Sequence, residues 1–145
     1  MTQLVLPSHT NSFGTIFGGT IMSWIDIAAA IAAQRHSNKE VVTASVDRLD
    51  FVAPVYKGWV VNLKARVNFT SRTSMEVGVR VDAENPRTGE TFHTSTAYCT
   101  FVALGSNGKP TEVPSLILET EEDKRRFAEA QRRRELRLQH KVSKK

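Results

Sequence analysis

The chain has 145 residues, a net charge of +5, 40% hydrophobic and 24% charged residues, the composition of one globular domain with a sizeable core, which excludes a disordered or fibrous chain. No apolar run approaches the roughly 20 residues that cross a bilayer, and Met1 to Ser12 lacks a basic stretch followed by an apolar one, so neither a membrane helix nor a signal peptide is expected. Cys99 is the sole cysteine, which excludes an internal disulfide and a Cys-rich metal site and fits a reducing, cytoplasmic setting.

A short strand is expected at Gln3 to Leu6, followed by the turn-rich stretch His9-Thr10-Asn11-Ser12-Phe13-Gly14. Gly18-Gly19-Thr20 then leads into a helix from about Thr20 to His36, dictated by small, apolar and helix-forming residues without Pro or Gly. Apolar on nearly every side, it is a core helix that needs wrapping. Val41 to Val52 reads as a strand with a change of phase: Val42, Ala44 and Val46 share one parity, Leu49 and Phe51 the other, as a bulge near Asp47-Arg48 would produce.

From Trp59 to Phe69 the odd positions are Trp, Val, Leu, Ala, Val and Phe, with Val, Asn, Lys, Arg and Asn between them. This period-2 alternation is that of a half-buried strand. Met75 to Ala83 repeats it, and the short polar link Thr70 to Ser74 makes the two an antiparallel pair. Asn85-Pro86-Arg87-Thr88-Gly89 marks a turn before a long strand, Glu90 to Leu104, whose second half is apolar on both faces and therefore central. Cys99 lies in that apolar run and reads as an inert buried thiol. Gly105 to Pro114 is a loop, and Glu119 to His140 a charged helix with Glu-before-Arg pairs at Glu121/Arg125, Glu122/Arg126 and Glu129/Arg133.

One buried helix followed by a meander of long strands gives an α+β fold, the sheet curled around the helix over residues 1–118, with a charged C-terminal helix and tail over 119–145. That tail holds ten Lys/Arg against six Asp/Glu and leaves only +1 for the body. Its interleaved acids and single aromatic, Phe127, argue against nucleic-acid binding. A single curved sheet covers only part of an apolar helix, so pairing of copies through sheet edges is expected.

Asp26 is the only ionisable residue between Ile21 and Ala33. A carboxylate buried without partners costs several kcal/mol, on the order of 5. Chains keep such groups mainly for catalysis, or where they face a polar seam or a subunit interface. Gly18 and Gly19 either allow a ligand close to the first-turn N–H donors of the helix, where an oxyanion would be stabilised, or simply make a tight turn. Asn11 can orient a water or carbonyl, or serve as an ordinary turn residue. His36 in the last helical turn suits a capping role better than catalysis. Ser71, Arg72, Thr73 and Ser74 could hold a phosphate through hydroxyls and a guanidinium, or form a solvated turn. No His, Asp or Glu pair has metal-ligand spacing on the helix, so no metal is expected.

The segments His9 to Ala30 and Val42 to Phe51, with Phe69-Thr-Ser-Arg-Thr-Ser-Met-Glu-Val77, resemble the acyl-CoA thioesterases of the hot-dog superfamily, nearest the YciA-like and brain acyl-CoA hydrolase group. The resemblance spans roughly residues 5 to 105. It implies a hot-dog fold, a five-stranded sheet on a central helix, paired into dimers that commonly assemble as a trimer of dimers. It also implies hydrolysis of fatty acyl-CoA to free acid and CoA without a cofactor, CoA entering only as substrate. Asp26 takes the place of the catalytic carboxylate, Asn11 that of an asparagine supplied across the dimer interface, and Gly18 and Gly19 lie at the thioester carbonyl. The Ser71 to Ser74 hairpin becomes a contact for CoA phosphates. No nucleic-acid or membrane partner is expected.

Two rivals stand beside this reading. A hot-dog dehydratase would ask for a catalytic His near the helix start, where this chain has glycines and hydroxyls. A non-enzymatic acyl-CoA binding or sensing module has no use for the Asp26 carboxylate.

Overall fold

The structure, a computed structural model, describes residues 1–143; Lys144 and Lys145, the end of the expected tail, lie outside the described residues. In chain order the elements are β1 (Thr2–Leu4), a 3-10 turn (Pro7–His9), α1 (Gly18–Ser37), β2 (Glu40–Asp47), β3 (Val60–Thr70), β4 (Ser74–Glu84), β5 (Thr91–Leu104) and α2 (Glu121–Ser143). The strands form one antiparallel sheet in the order β1-β3-β4-β5-β2.

α1 lies across one face of this sheet, called the inner face. Ile21, Trp24, Ile25, Ala28, Ala29 and Ala33 pack on Val61, Leu63, Met75, Val77, Val79, Val81, Ala97, Cys99 and Phe101, all buried. Each large aliphatic side chain buried there stabilises the fold by about 1.5–3 kcal/mol. The helix stops at Asn38, which takes the left-handed conformation (φ 55°) and donates its N–H to the Gln34 carbonyl. The sheet covers only part of the helix, as the sequence predicts: Met22, Ile27 and Ile31 remain 50%, 49% and 39% exposed.

Three sequence expectations shift by bulges and strand ends. Phe69 does not share the inner face with Val61, Leu63, Ala65 and Val67. The register slips between Val67 and Phe69, and the bulge at Asn68 turns the Phe69 ring to the outer face, against Phe127 at 4.7 Å. β2 ends at Asp47 rather than Val52, because Arg48 turns the chain with φ 33°. Its bulge lies between Thr43 and Ser45, so Val41 and not Val42 joins the core.

α2 docks across the outer face. Thr120 caps it: its hydroxyl accepts the Asp123 N–H at 3.0 Å, and the Asp123 carboxylate accepts the Glu119 and Thr120 N–H groups. The docked stripe is mostly charged. Asp123 pairs with Arg66, Phe127 meets Phe69, Ala130 is fully buried, Arg133 reaches Glu76, and Arg137 reaches Asp47. Arg133 therefore does not take the expected Glu129 partner; Glu129 pairs with Arg125 instead. Arg126 does pair with Glu122, at 3.1 Å.

Candidate active site

Asp26 sits two turns into α1 and points to the open edge of the sheet, where β2 is the last strand. It is half-buried rather than buried, because no strand lies beyond β2 in one copy of the chain. Its partner is the Thr43 hydroxyl, which donates to Asp26 Oδ1 at 2.6 Å. A hydroxyl donating to a carboxylate fixes its orientation. Sequence reasoning missed Thr43. Its inward placement comes from pairing, against the Val42 and Ala44 parity of the sequence: Thr43 is the cross-strand partner of the buried Phe101 and so faces the helix.

Gly18 and Gly19 are the first two residues of the helix, not a turn before it. Neither has positive φ, so backbone strain does not require glycine at either position. Among the described residues their N–H groups have no acceptor, while those of Thr20 and Ile21 bond to the Phe17 carbonyl. Two unused donors at a helix start suit a developing oxyanion. The side chains flanking them are aromatic. A Cβ on Gly18 would lie 3.6 Å from the Phe51 ring, and one on Gly19 only 3.2 Å from the Phe17 ring.

Asn11 is exposed and occupied by its own loop. Its side chain donates to the Thr15 hydroxyl at 2.9 Å and accepts the Phe13 N–H at 2.9 Å. No hydrogen bond joins Asn11 to Asp26 among the described residues. Within one copy the structure therefore brings Asp26 together with Thr43 and leaves Asn11 apart.

The hairpin from Ser71 to Ser74 connects β3 to β4. The Ser71 and Ser74 hydroxyls lie 2.5 Å apart, bonded to each other, and the Arg72 and Thr73 carbonyls accept the Val113 and Ala103 N–H groups. The Arg72 side chain is exposed. His36 holds the Pro114 carbonyl at 2.8 Å, tying α1 to the segment before α2 rather than capping its own helix. His9 accepts the Leu6 N–H through Nδ1 and sets its ring edge-on to Trp24 at 5.1 Å. Burial, with the charges of Asp26, Asp47 and Glu76, pushes the Cys99 thiol up to about 11. No group of three metal-ligating side chains forms among the described residues. Concavities of about 520 and 710 Å³ lie on the outer face, one beside Arg80 and His93, the other beside Tyr98 and Leu136. Asp26 lines neither of them.

A curved antiparallel sheet wrapped on one long helix defines a hot-dog protein. The model of the thioesterase superfamily matches residues 13–90. The chain is 47% identical over 122 residues to the uncharacterized acyl-CoA thioester hydrolase YkhA of Bacillus subtilis, covering 84% of this chain and 71% of that protein. It is 39% identical over 135 residues to the cytosolic acyl coenzyme A thioester hydrolase of Rattus norvegicus, covering 92% of this chain but spanning only 35% of the rat protein. An apo-hexameric acyl-CoA thioesterase superposes with TM-score 0.92 at 45% identity, covering 97% of this chain and 90% of that one. An acyl-CoA hydrolase from Staphylococcus aureus in complex with butyryl coenzyme A, coenzyme A and coenzyme A disulfide superposes with TM-score 0.91 at 35% identity, covering 99% and 88%. The chain belongs to the thioesterase superfamily, in its acyl-CoA thioester hydrolase branch, and is an enzyme of the hydrolase class.

Proposed function

We propose that the protein hydrolyses fatty acyl-CoA to free fatty acid and CoA, with Asp26 as general base and no cofactor. The observation that carries this reading is the Thr43–Asp26 bond of 2.6 Å on a helix whose first N–H groups are unused. The N–H groups of Gly18 and Gly19 polarise the thioester carbonyl. Asp26 takes a proton from a water whose oxygen attacks the carbonyl carbon. The tetrahedral intermediate then collapses and the C–S bond breaks. CoA thiolate is a good leaving group and needs little general acid. Direct attack by Asp26 through a mixed anhydride is the other route these residues allow.

Alanine variants of the Staphylococcus aureus enzyme support the choice of residues. They replace an asparagine, an aspartate and a threonine separated by 15 and 17 positions, the separations of Asn11, Asp26 and Thr43. In this reading Asn11 comes from a partner subunit to orient the water or the thioester. The partner also closes the open edge at β2 and covers Met22, Ile27 and Ile31. The dimer is the minimal unit and a trimer of dimers the working assembly, in keeping with the hexameric relative. Ser71, Arg72, Thr73 and Ser74 contact CoA phosphates at a subunit boundary. The cytosolic designation of the rat relative supports a cytoplasmic setting.

The test is CoA release from a panel of acyl-CoAs, read with a thiol reagent, for wild type and Asp26→Asn in parallel. The expected result is turnover in the wild type and loss of about a thousandfold or more in the variant, with CoA binding and assembly intact. Wild type that binds acyl-CoA without releasing CoA would establish the binding-module reading instead. Turnover that survives Asp26→Asn would keep the reaction and reject this mechanism.

A further inference from the structure

Beside α2, the outer face of the sheet carries two rows of polar side chains. The register sets Thr96, Arg80 and Lys64 in line across β5, β4 and β3, with His93, Asp82 and Asn62 in the next row. Lys64 and Arg80 are direct cross-strand partners, and like charges so placed destabilise a sheet. Asp82 answers only Arg80, whose Nε donates to its two carboxylate oxygens at 3.2 and 3.1 Å. Lys64 has no ion-pair partner among the described residues. Asp82 Oδ1 also lies 3.3 Å from His93 Nδ1, and His93 Nε2 lies 3.1 Å from the Thr96 hydroxyl. An ionised carboxylate only accepts, so Nδ1 of the neutral ring carries the proton and Nε2 is left to accept the Thr96 O–H. A carboxylate, an imidazole and a hydroxyl bonded in that order are the arrangement that activates a hydroxyl as a nucleophile. His93, Asp82, Arg80 and Lys64 line the concavity of about 520 Å³, and Thr96 lines the one of about 710 Å³ with Tyr98 and Leu136. These polar rows lie on the three central strands, and none of their residues belongs to β2, where the partner would pair.

We propose that Asp82, His93 and Thr96 form a second hydrolytic site, which cleaves oxygen esters of small apolar acids with Thr96 as the nucleophile. This site is independent of Asp26. Thr96 Oγ1 bonds to the ester carbonyl carbon as its proton passes to His93 Nε2, and Asp82 holds the imidazolium that forms. The carbonyl oxygen becomes an oxyanion, which the ammonium of Lys64, the unpaired cation of the same row, stabilises. The tetrahedral intermediate collapses, the bond to the alcohol oxygen breaks, and the alcohol leaves with the proton from His93. Water then attacks the acyl-Thr96 ester while His93 again takes a proton. That proton returns to Thr96 Oγ1 as the acid departs. Tyr98 and Leu136 give the acyl part an apolar wall, and Arg80 and Lys64 on the other side favour a polar or anionic alcohol part.

The experiment incubates the full chain carrying Asp26→Asn, so that the thioesterase site adds nothing, with p-nitrophenyl butyrate. Release of p-nitrophenol is followed by absorbance, and the quenched protein is digested and searched by mass spectrometry for a butyryl group. The expected result is release together with a butyryl adduct on the peptide that contains Thr96. Adding Thr96→Val or His93→Gln should lower release about a hundredfold or more and remove the adduct. Asp82→Asn should lower release by about tenfold or more, because the ring loses the partner that fixes its tautomer. Thr96→Ser keeps the hydroxyl and should keep both release and adduct, which separates loss of the nucleophile from loss of the fold. Release that is unchanged in Thr96→Val or in His93→Gln would overturn the inference. So would a butyryl group found on a lysine in place of Thr96, or a Thr96→Ser protein as inert as Thr96→Val. CoA release by the wild type is read separately, so failure of the Asp26 reading leaves this one standing, and the reverse.

Discussion

Replacing Glu76 by glutamine tests whether the ionic seam under α2 holds the C-terminal helix on the sheet. Glu76 is 1% exposed and accepts two bonds from Arg133, with Arg137 just within ion-pair range. Burial works against the charge of Arg133, but the hydrogen bonds and charge of Glu76, with smaller help from Tyr98 and Glu129, outweigh it and raise its pKa above the usual arginine value. Removing one member of a buried pair costs about 3–5 kcal/mol. Here the side chains of Arg133 and Arg137 are each 23% exposed, so water takes up part of the stranded charge. A loss of about 2–3 kcal/mol is therefore expected. With a urea m-value of about 1–3 kcal/mol/M, the unfolding midpoint should fall by roughly 1–2 M at fixed subunit concentration. The paired replacement Glu76→Met/Arg133→Met should recover most of that loss, because an apolar pair strands no charge. A Glu76→Gln midpoint equal to wild type would refute the reasoning and show that α2 is held without Glu76, by Phe127, Ala130 and the pairs Asp123–Arg66 and Arg137–Asp47.

Gly78 on β4 faces the outer side, and a Cβ there would lie 2.6 Å from Asn68 Nδ2. Asn68 is itself buried, so Gly78→Ala should destabilise by about 1–3 kcal/mol, and shortening the obstacle with Asn68→Ala should recover part of it in the same urea assay. Cys99 should resist iodoacetamide in the native protein at pH 8, because its folded pKa of about 11 keeps it a thiol; rapid labelling there would contradict its burial. The raised value also sets a direction for alkaline stability. Below the ordinary thiol value of 9.0 both states hold the proton and the thiol adds no pH dependence; between 9.0 and about 11 the unfolded chain ionises first, so stability falls as pH rises. Cys99→Ala should flatten that limb of a pH series of urea midpoints.

The parts of the fold that follow strict periodicity were legible. The inner face of β4, Met75 through Ala83, appears in the sequence as five alternating apolar residues, and all five are buried. A bulge defeats such reading, since one inserted residue reverses every later side chain: Phe69 reads as core and packs outside, and Thr43 faces the helix where parity points to Val42 and Ala44. The helix α2 was legible, but its docking on the sheet was hidden for a different reason. A stripe of Asp123, Arg133 and Arg137 looks like a solvated face, and only the facing Arg66, Glu76 and Asp47 on the sheet show it to be a docking surface. At the site, Asp26 stood out because a lone charge in an apolar helix needs a reason. Asn11 was readable equally as a site amide or as a turn residue, and what one copy shows is an asparagine serving its own turn.

The strand order also sets a sequence of assembly. β3 and β4 are joined by a short turn and pair locally, and β5 adds to β4 across the next turn. β2 must wait for β5, closing a loop of fifty residues between Asp47 and Tyr98, or sixty-three between Glu40 and Leu104. Long loops are entropically late to close. β2, the strand that carries Thr43, is then the last of the sheet to pair. A nascent chain holds its central hairpins before Thr43 can reach Asp26, so the Thr43–Asp26 contact forms only when the sheet is complete.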